Sequence, residues 1–445
     1  MKSRVFTAVF IGALFACNAV GGVPVVAESL EISRVPAGFP VGFCLLTHGQ
    51  RQYVAYYDEQ HRMTVASRTL DSKKWKYQIL PSRVGWDSHN GVTMAIDDDG
   101  YIHLSGNMHC VPLIYFRMSK PGDITSFERI KAMTGKNERR CTYPKFMRGG
   151  KGEFIFHYRD GGSGNGNEIY NVYDRITKSW RKLLDRPLTD GRGKMNAYMI
   201  GPRLGPDGYF HMTWVWRNTP DCATNHDLSY ARSKDLVNWE TIAGKPVQLP
   251  IRLETKGLIV DPVPVEGGII NGAGRAGFDS RKRAVISYHK FDSNGKTQVY
   301  IARFEGGKWK SYPVSKWDYR WYFKGNGSIG AKIRVGAPVA APGGLLHVPF
   351  RHPKQGRGRL VVDEKTLEFV KVIPPAGSTM PAEIRKLEST FQGMSVRIAG
   401  DLGKCDTPGV RYILRWETLG PNRDRRRKGP QPRPGMLRII KIVER

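Results

Sequence analysis

The chain has 445 residues, more than one ordinary hydrophobic core needs, which predicts either several domains or one large closed or repetitive fold. Its 40% hydrophobic and 25% charged residues exclude a mainly disordered chain, and no interior stretch is apolar enough for a polytopic membrane protein. With 70 Lys and Arg against 40 Asp and Glu, the formal net charge is +30, which predicts attraction to a polyanion.

The N-terminus indicates export. Basic residues at Met1–Arg4 precede an apolar run at Val5–Ala19, which is typical of a secretory signal peptide rather than a membrane anchor. We expect cleavage after Ala27, which makes 1–27 the signal peptide and leaves 28–445 as the mature chain. Lipoprotein processing at Cys17 remains an alternative. Either route predicts a secreted or periplasmic protein.

Export limits the classes of binding partner that the protein can meet. Genomic DNA is not met outside the cell, so the basic charge favours an acidic polysaccharide over nucleic acid, and we expect a monomer without a membrane span. The remaining cysteines are too sparse for a disulfide scaffold and contain no CxxC pair for a zinc ribbon, although one pair could be bridged. They are Cys44, Cys110, Cys141, Cys222 and Cys405.

Two strand patterns alternate along the chain at a spacing of roughly 50 to 70 residues, within the range of propeller blades with insertions. The first begins at a Gly or polar turn and occurs at Asp99–Leu104, Lys151–Phe156, Asp207–Met212, Arg283–Tyr288 and Gly344–Val348. The second precedes a polar turn and a Trp or Phe and occurs at Met63–Arg68, Leu113–Arg117, Glu168–Tyr173, Leu228–Arg232 and Gln298–Arg303. Helical periodicity is nearly absent. We predict an all-β fold, a single seven-bladed β-propeller domain of four-stranded antiparallel blades.

The C-terminal region is expected to close the ring. Arg411–Trp416 and Met436–Val443 are predicted strands that would complete the last blade. The basic stretch near 421–434 would then form a loop between them. We expect that loop to be exposed and solvated.

Unusual polar residues mark the predicted strand ends of consecutive blades. They are His89 with Asn90 in WDSHN, His109 in GNMHCVPL, Tyr143 in TYPKF, Arg159 in HYRDGGSGNGN, Arg217 in WVWR and His226 in TNHDLSY. Each alone has an ordinary structural explanation as a turn former, a core aromatic or an interblade ion pair. His103 and His211 lie inside alternating strand patterns, and we expect them to be packing residues.

Together these residue types suit β-elimination on a uronic acid polymer. The hydrogen next to the carboxylate is only weakly acidic, so the carboxylate must be neutralised while a base removes that proton. An acid must then protonate the departing oxygen. Glycoside hydrolysis more often needs two carboxylates around the bond, which these motifs do not offer.

The run from about Val35 to Trp317 resembles the BNR-repeat seven-bladed propellers that include ulvan lyases and L-rhamnose-α-1,4-D-glucuronate lyases. That resemblance implies that His89, His109 and Tyr143 supply base and acid, in an order left open. It also implies that Arg159, helped by His226, meets the substrate carboxylate. Arg217 and Asn90 are expected as further substrate contacts. The substrate implied is a uronate linked to rhamnose, as in ulvan.

Two other functions remain open. His48 in THGQRQYVAYY resembles a segment of the related α-L-rhamnosidase branch, whose single catalytic histidine lies on the opposite propeller face. A non-catalytic sugar-binding propeller is the third hypothesis. We expect no cofactor for the chemistry, and a structural Ca²⁺ or Zn²⁺ remains open with no ligand assigned.

Overall fold

The computed structural model describes residues 23–377 and 380–444. The predicted signal segment up to residue 22, including Cys17, lies outside the described residues. Regular structure in the described part is almost entirely strand, with three short 3₁₀ helices at Ile124–Ser126, Cys222–Thr224 and Ala382–Arg385. Among these residues we find no helix with the length and apolar character needed to cross a bilayer.

The first half of the chain forms four antiparallel blades in sequence order. Blade 1 contains β2 (Cys44–His48), β3 (Arg51–Tyr57), β4 (Arg62–Thr69) and β5 (Lys76–Arg83) after an N-terminal β1 (Pro24–Val35). Blade 2 contains β6 (Val92–Ile96), β7 (Ile102–Gly106), β9 (Tyr115–Met118) and β10 (Phe127–Ile130). Blade 3 contains β11 (Cys141–Arg148), β12 (Phe154–Gly162), β13 (Asn165–Asp174) and β14 (Ser179–Lys182), with β8 (His109–Val111) at its edge. Blade 4 contains β15 (Asn196–Leu204), β16 (Phe210–Arg217), β17 (Asn225–Ser233), β18 (Trp239–Glu240), β19 (Pro246–Val247) and β20 (Ile259–Asp261).

The second half forms three more groups. Blade 5 contains β21 (Arg275–Phe278), β22 (Ala284–Phe291), β23 (Thr297–Glu305) and β24 (Lys308–Pro313). Blade 6 contains β25 (Arg334–Val335), β26 (Val339–Ala341), β27 (Leu345–His352), β28 (Gly356–Asp363) and β29 (Phe369–Ile373). Blade 7 contains β30 (Ser395–Gly400), β31 (Val410–Thr418) and β32 (Gly435–Glu444), and β1 pairs with β32 as its fourth strand.

The predicted all-β propeller is confirmed. Blades 5 and 6 share one sheet through a single parallel bridge between Phe278 and Val339. Dividing that sheet at the bridge gives seven antiparallel groups among the described strands, which equals the predicted number of blades. The two repeated sequence patterns correspond to second and third strands, as in β16 and β17 of blade 4.

Burial follows the position of each strand in its blade. All eight residues of β16 are buried, because a middle strand is covered on both faces by neighbouring sheets, whereas four of the five residues of β29 are exposed at the outer edge. The hydrophobic core lies between blades. One cluster joins Leu45, Leu104 and Leu414 from blades 1, 2 and 7.

The first strand of each blade positions the functional residues. Neighbouring blades meet through these strands in parallel orientation, as the bridges Leu45–Asp401 and Phe278–Val339 show. The strands that surround the axis therefore run in one direction. Loops that enter them lie at one end of the propeller, and residues that leave them lie at the other end.

The five cysteines within the described residues are all free thiols, so the bridged pair that the sequence left open is not present there.

The predicted cleavage point after Ala27 lies inside β1, whose Pro24, Val25 and Val26 pair with the end of β32. Cleavage at that point, which remains a prediction, would leave the part of β1 from Glu28 onward to pair with β32.

The closure of blade 7 can be tested by stability. Leu414 in β31 is fully buried, whereas Leu402 is 58% exposed. We expect Leu414→Ala to lower the free energy of unfolding by about 2–5 kcal/mol, because it leaves a cavity between blades. Leu402→Ala removes the same atoms from the surface and should cost less than about 0.5 kcal/mol. Urea unfolding followed by tryptophan fluorescence measures both, and equal losses would contradict this packing.

Candidate active site

The site begins with an irregularity in the first strand of blade 3. Tyr143 has a positive φ of 56° and precedes Pro144, and the β11–β12 register shifts between Thr142 and Lys145. The left-handed region is unusual for a bulky residue, and a bulge re-aims the side chain that it carries. Tyr143 is thereby turned into a cavity of about 490 Å³.

Two histidines share one carboxylate beside Tyr143. Nδ1 of His89 lies 2.6 Å from one oxygen of Asp87, and Nδ1 of His109 bonds to the other oxygen. The two imidazole centroids are 4.5 Å apart, and the His109 ring stacks on Tyr143 at 6.0 Å. Because an ionised carboxylate only accepts, each histidine donates from Nδ1, and a neutral ring then carries its lone pair on Nε2. Neither Nε2 has a hydrogen-bond partner within the described residues.

The ionisation states of these groups follow from their surroundings. Burial opposes ionisation of Asp87, but hydrogen bonds from His109 and His89 outweigh it and hold the pKa of this carboxyl well below its usual range. Desolvation by the surrounding protein raises the pKa of the Tyr143 phenol, and nearby Tyr198 raises it further against the opposing charge of Arg159. Tyr143 therefore holds its proton at neutral pH, while Asp87 is ionised.

Arg159 lies behind the tyrosines and does not line the cavity. Its guanidinium carbon is 4.9 Å from the centre of the Tyr143 ring and 5.6 Å from that of Tyr198. Nε donates to the carbonyl of Gly161 at 3.0 Å, and both terminal nitrogens are buried without a hydrogen-bond partner in the described part of the chain. The rings of Tyr143 and Tyr198 lie between this guanidinium and the cavity wall, and the expected contact of Arg159 with a substrate carboxylate stays a prediction. The charge of Arg159 favours the ionised form of Tyr143.

Arg217, which was expected as a further substrate contact, lies on the wall of this cavity. Its Nε donates to the carbonyl of Thr219 at 3.0 Å, and Nη2 donates to the carbonyl of Pro220. Nη1 makes only long contacts of 3.4 Å, to the hydroxyl of Tyr198 and to Asn271. The backbone carbonyls therefore hold the guanidinium in place while one of its nitrogens is available to a ligand in the cavity.

The basic C-terminal loop reaches this site. Asp424 lines the cavity, and its carboxylate accepts from Ser328 Oγ at 2.6 Å and lies 3.4 Å from Nδ1 of His89. The side chain of Arg423 donates to the carbonyls of Lys324 and Asn326, which anchors the loop. The expectation of a merely solvated loop is therefore wrong for this part of it.

The structure does not place His226 or Asn90 on the cavity wall. Both ring nitrogens of His226 have local partners, Asp227 at 2.7 Å and Asn218 at 2.8 Å. Asn90 accepts a hydrogen bond from Tyr57 at its backbone carbonyl. Local hydrogen bonds thus occupy the ring of His226, whereas the buried side-chain oxygen of Asn90 has no hydrogen-bond partner in the described part of the chain. The substrate contacts expected of both residues stay predictions.

His48 lies at the opposite end of the propeller from His89. It is the last residue of β2, whereas His89 precedes β6, and these first strands run in the same direction. His48 is exposed and lines a separate cavity of about 740 Å³, where Asp406 is the single carboxylate among the described lining residues.

His103 and His211 are buried and bond to Tyr115 and Tyr230, which confirms their structural role.

Asp87, His89 and His109 also form the one group of three metal-ligand side chains found in the described residues. Their ligand atoms lie within 4.8 Å of one another, and two histidines with a carboxylate suit Zn²⁺. The same Nδ1 atoms are engaged with Asp87, so a metal ion would replace these hydrogen bonds.

Comparison with known protein families identifies the family of this chain. The model of the BNR repeat-containing family matches residues 51–317, more than half of the chain. The chain belongs to this family. No curated protein matches the chain.

Solved structures show which folds this member of the BNR family resembles. The polysaccharide lyase Uly1 matches with 14% identity and a TM-score of 0.61, over 94% of this chain and 99% of that one. A PL25 ulvan lyase matches with 16% identity and a TM-score of 0.57, over 88% of this chain and 94% of that one. The ulvan lyase bound to -[GlcA(1-4)Rha3S]- matches with 15% identity and a TM-score of 0.56, with the same coverage of both chains. At these identities the likeness is one of fold.

Three site residues were not predicted from the sequence. Asp87 stands two residues before His89 in the same motif, so a carboxylate close to a candidate histidine was an available signal. Tyr198 and Asp424 carried no such signal, because their positions depend on contacts between distant parts of the chain.

Glu168 provides a test of the electrostatics behind the site. It lies opposite Arg159 in the β12–β13 pair, and burial raises its pKa to about 7 despite the charges of Arg159 and Lys145. An unfolded glutamate has a pKa of about 4.3, so the stability linked to its protonation is fully present below about pH 4 and is lost as the pH rises through about 7.

We therefore expect Glu168→Gln, which stays neutral, to gain free energy of unfolding relative to the natural protein as the pH rises from about 5 to about 8. Denaturant unfolding at both pH values measures this change. Glu59→Gln, at an exposed position, controls for the loss of one negative charge. A difference for Glu168→Gln that does not change with pH would contradict the assignment.

Proposed function

We propose that this BNR-family protein is an exported polysaccharide lyase that cleaves an acidic, uronate-containing polysaccharide by β-elimination. The observation that carries the proposal is the convergence of two carboxylate-anchored histidines and Tyr143 on one cavity with an arginine on its wall. The lyase folds that the chain resembles, and the uronate–rhamnose ligand named for one of them, support this reaction class and a uronate next to rhamnose as substrate.

Binding of the uronate depends on Arg217. Its Nη1 faces the cavity with only long contacts, so a substrate carboxylate can take up a charge-assisted hydrogen bond there. Neutralising the carboxylate stabilises the negative charge that develops when the neighbouring C5–H proton is removed. The formal net charge of +30 draws the polyanion towards the protein.

The proton transfers follow from the hydrogen bonds and charges that surround the histidines and Tyr143. Nε2 of one of the two histidines accepts the C5 proton, since its Nδ1 is committed to Asp87. The electron pair of the C5–H bond forms the C4–C5 double bond, the C4–O4 bond breaks, and Tyr143 donates its proton to O4. Arg159 behind the ring stabilises the resulting phenolate. Proton return from the imidazolium to the phenolate restores the site.

The main test is the substitution Tyr143→Phe. It keeps the ring packed against Arg159 and removes only the hydroxyl, so we expect an unchanged fold and a loss of elimination of about 10²-fold or more. Elimination is followed as the absorbance of the unsaturated uronate near 235 nm, with ulvan and with rhamnose-capped arabinogalactan as substrates. His48→Ala is the matched control and should retain activity.

Other outcomes identify the competing functions. Release of rhamnose without absorbance near 235 nm, abolished by His48→Ala and unaffected by Tyr143→Phe, would show a hydrolase at the opposite face. Retention on acidic polysaccharide gels without cleavage of any substrate would show a binding module.

A second test concerns the metal. We propose that Asp87 acts by orienting the histidines, so treatment with a chelator followed by desalting should leave elimination unchanged. Loss of activity that is restored by Zn²⁺ would instead assign Asp87, His89 and His109 as metal ligands. Far-UV circular dichroism before and after chelation controls for unfolding.

A further inference from the structure

A second cavity of about 610 Å³ adjoins the candidate active site. The two share Ile270, Asn271, Trp321 and Ala331 as wall residues, so the second cavity continues the first one. Four arginines line it, and no Asp or Glu does so among the described residues. They are Arg203, Arg275, Arg334 and Arg351, and we call this cavity the arginine pocket.

The fold explains why these charges meet. Arg203, Arg275 and Arg334 lie in the first strands of blades 4, 5 and 6, namely β15, β21 and β25, which surround the propeller axis. Arg351 lies directly opposite Arg334 in the β25–β27 pair. Like charges placed opposite each other destabilise a sheet, so folding stability does not account for this arrangement.

The charges are not neutralised within the protein. Arg203 and Arg334 are exposed and Arg275 is half-buried, and the guanidinium groups of these three have no hydrogen bond or ion pair with any described residue. Arg351 donates to the carbonyl of Ala331 at 2.6 Å, a neutral partner. Burial lowers the pKa of Arg275, and the charges of Arg203 and Arg334 lower it further.

The positive region extends along the axis beyond the arginine pocket. Arg397, in the first strand of blade 7, has a buried Nε without a hydrogen-bond partner in the described part. Burial lowers the pKa of Lys145 in blade 3, and the charges of Arg203 and Arg275 lower it further, whereas the nearby acid Glu168 raises it. His289, on the pocket wall, bonds to the carbonyl of Gly268 and adds no negative charge.

We propose that the arginine pocket is an oxyanion subsite that takes a sulfate-type group, held by two or more guanidinium groups. Guanidinium is planar and always charged, and several of its N–H groups can bind the oxygens of one anion together. Such a ligand relieves the repulsion among these charges. The pocket adjoins the site of cleavage, so a sulfate ester on a sugar near the cleaved uronate is one source of the anion, and free inorganic sulfate is the other. The first source rests on the proposed function, whereas the second does not.

The first experiment measures the anion alone. Sodium sulfate is titrated into the natural protein and into Arg275→Gln by calorimetry, at constant ionic strength maintained with chloride. We expect sulfate to bind the natural protein and Arg275→Gln to bind it about tenfold more weakly or worse, the size expected for a lost charged hydrogen bond. Arg186→Gln, at an exposed position outside both cavities, is the matched control and should bind as the natural protein does.

The fold of the variant is controlled by thermal unfolding. Because Arg275 is repelled by its neighbours and has no partner, Arg275→Gln in chloride should keep or raise the melting temperature. Sulfate should raise that temperature for the natural protein more than for the variant. Arg334→Gln is the second variant and should behave in the same way.

The second experiment identifies the source. On a sulfated uronate polysaccharide, Arg275→Gln should raise KM, with kcat and the KM for the desulfated chain unchanged, if the substrate ester occupies the pocket. An unchanged KM on both chains together with weakened sulfate binding assigns the pocket to the free ion. Equal sulfate binding by the natural protein and both variants, or no binding by any of them, overturns the proposal whether or not a substrate is cleaved.

Discussion

One carboxylate, that of Asp87, holds two imidazole rings by their Nδ1 atoms, and the arrangement of the candidate site depends on it. The shared anchor fixes the tautomer of both histidines and directs both Nε2 atoms away from it. Tyr143 completes the group through a strained backbone conformation at a bulge, so its hydroxyl enters the same cavity without a helix or a long loop. The proposed proton acceptors and proton donor thus come from three short segments at the ends of blades 2 and 3.

Two arginines act at this site in different ways. Arg159 is sandwiched between Tyr143 and Tyr198 and acts on the phenol through its charge, whereas Arg217 is on the wall and can touch a ligand. A buried guanidinium with unpaired nitrogens costs free energy, and cation–π contacts of about 0.5–2 kcal/mol each offset part of it. Ionisation of Tyr143 would place a negative charge beside this guanidinium. We interpret the residual cost of burying Arg159 as favouring that ionisation, and so as helping Tyr143 to release its proton in a desolvated site.

Much of the fold and about half of the candidate site could be predicted from the sequence. Alternating strand patterns at blade spacing were sufficient for the propeller, because each blade is a local antiparallel unit. His89, His109 and Tyr143 were recognisable because each stands at a strand end among Gly, Asn or Pro. Arg159 and His226 do not line the cavity for a physical reason, since neighbouring rings lie against one and local hydrogen bonds occupy the other. Asp424 was not predictable, because the loop that carries it returns from blade 7 to the opening of the cavity.

The most direct measurement of the central claim is a crystal structure of the Tyr143→Phe variant with a uronate-containing oligosaccharide. We expect the uronate carboxylate to lie within hydrogen-bond distance of Nη1 of Arg217, at about 2.7–3.0 Å. We also expect C5 of that uronate to face Nε2 of His89 or His109, and the glycosidic oxygen to lie next to the position of the missing hydroxyl. An oligosaccharide bound in the cavity beside His48 instead, with the cavity at Asp87 and Tyr143 empty, would contradict it.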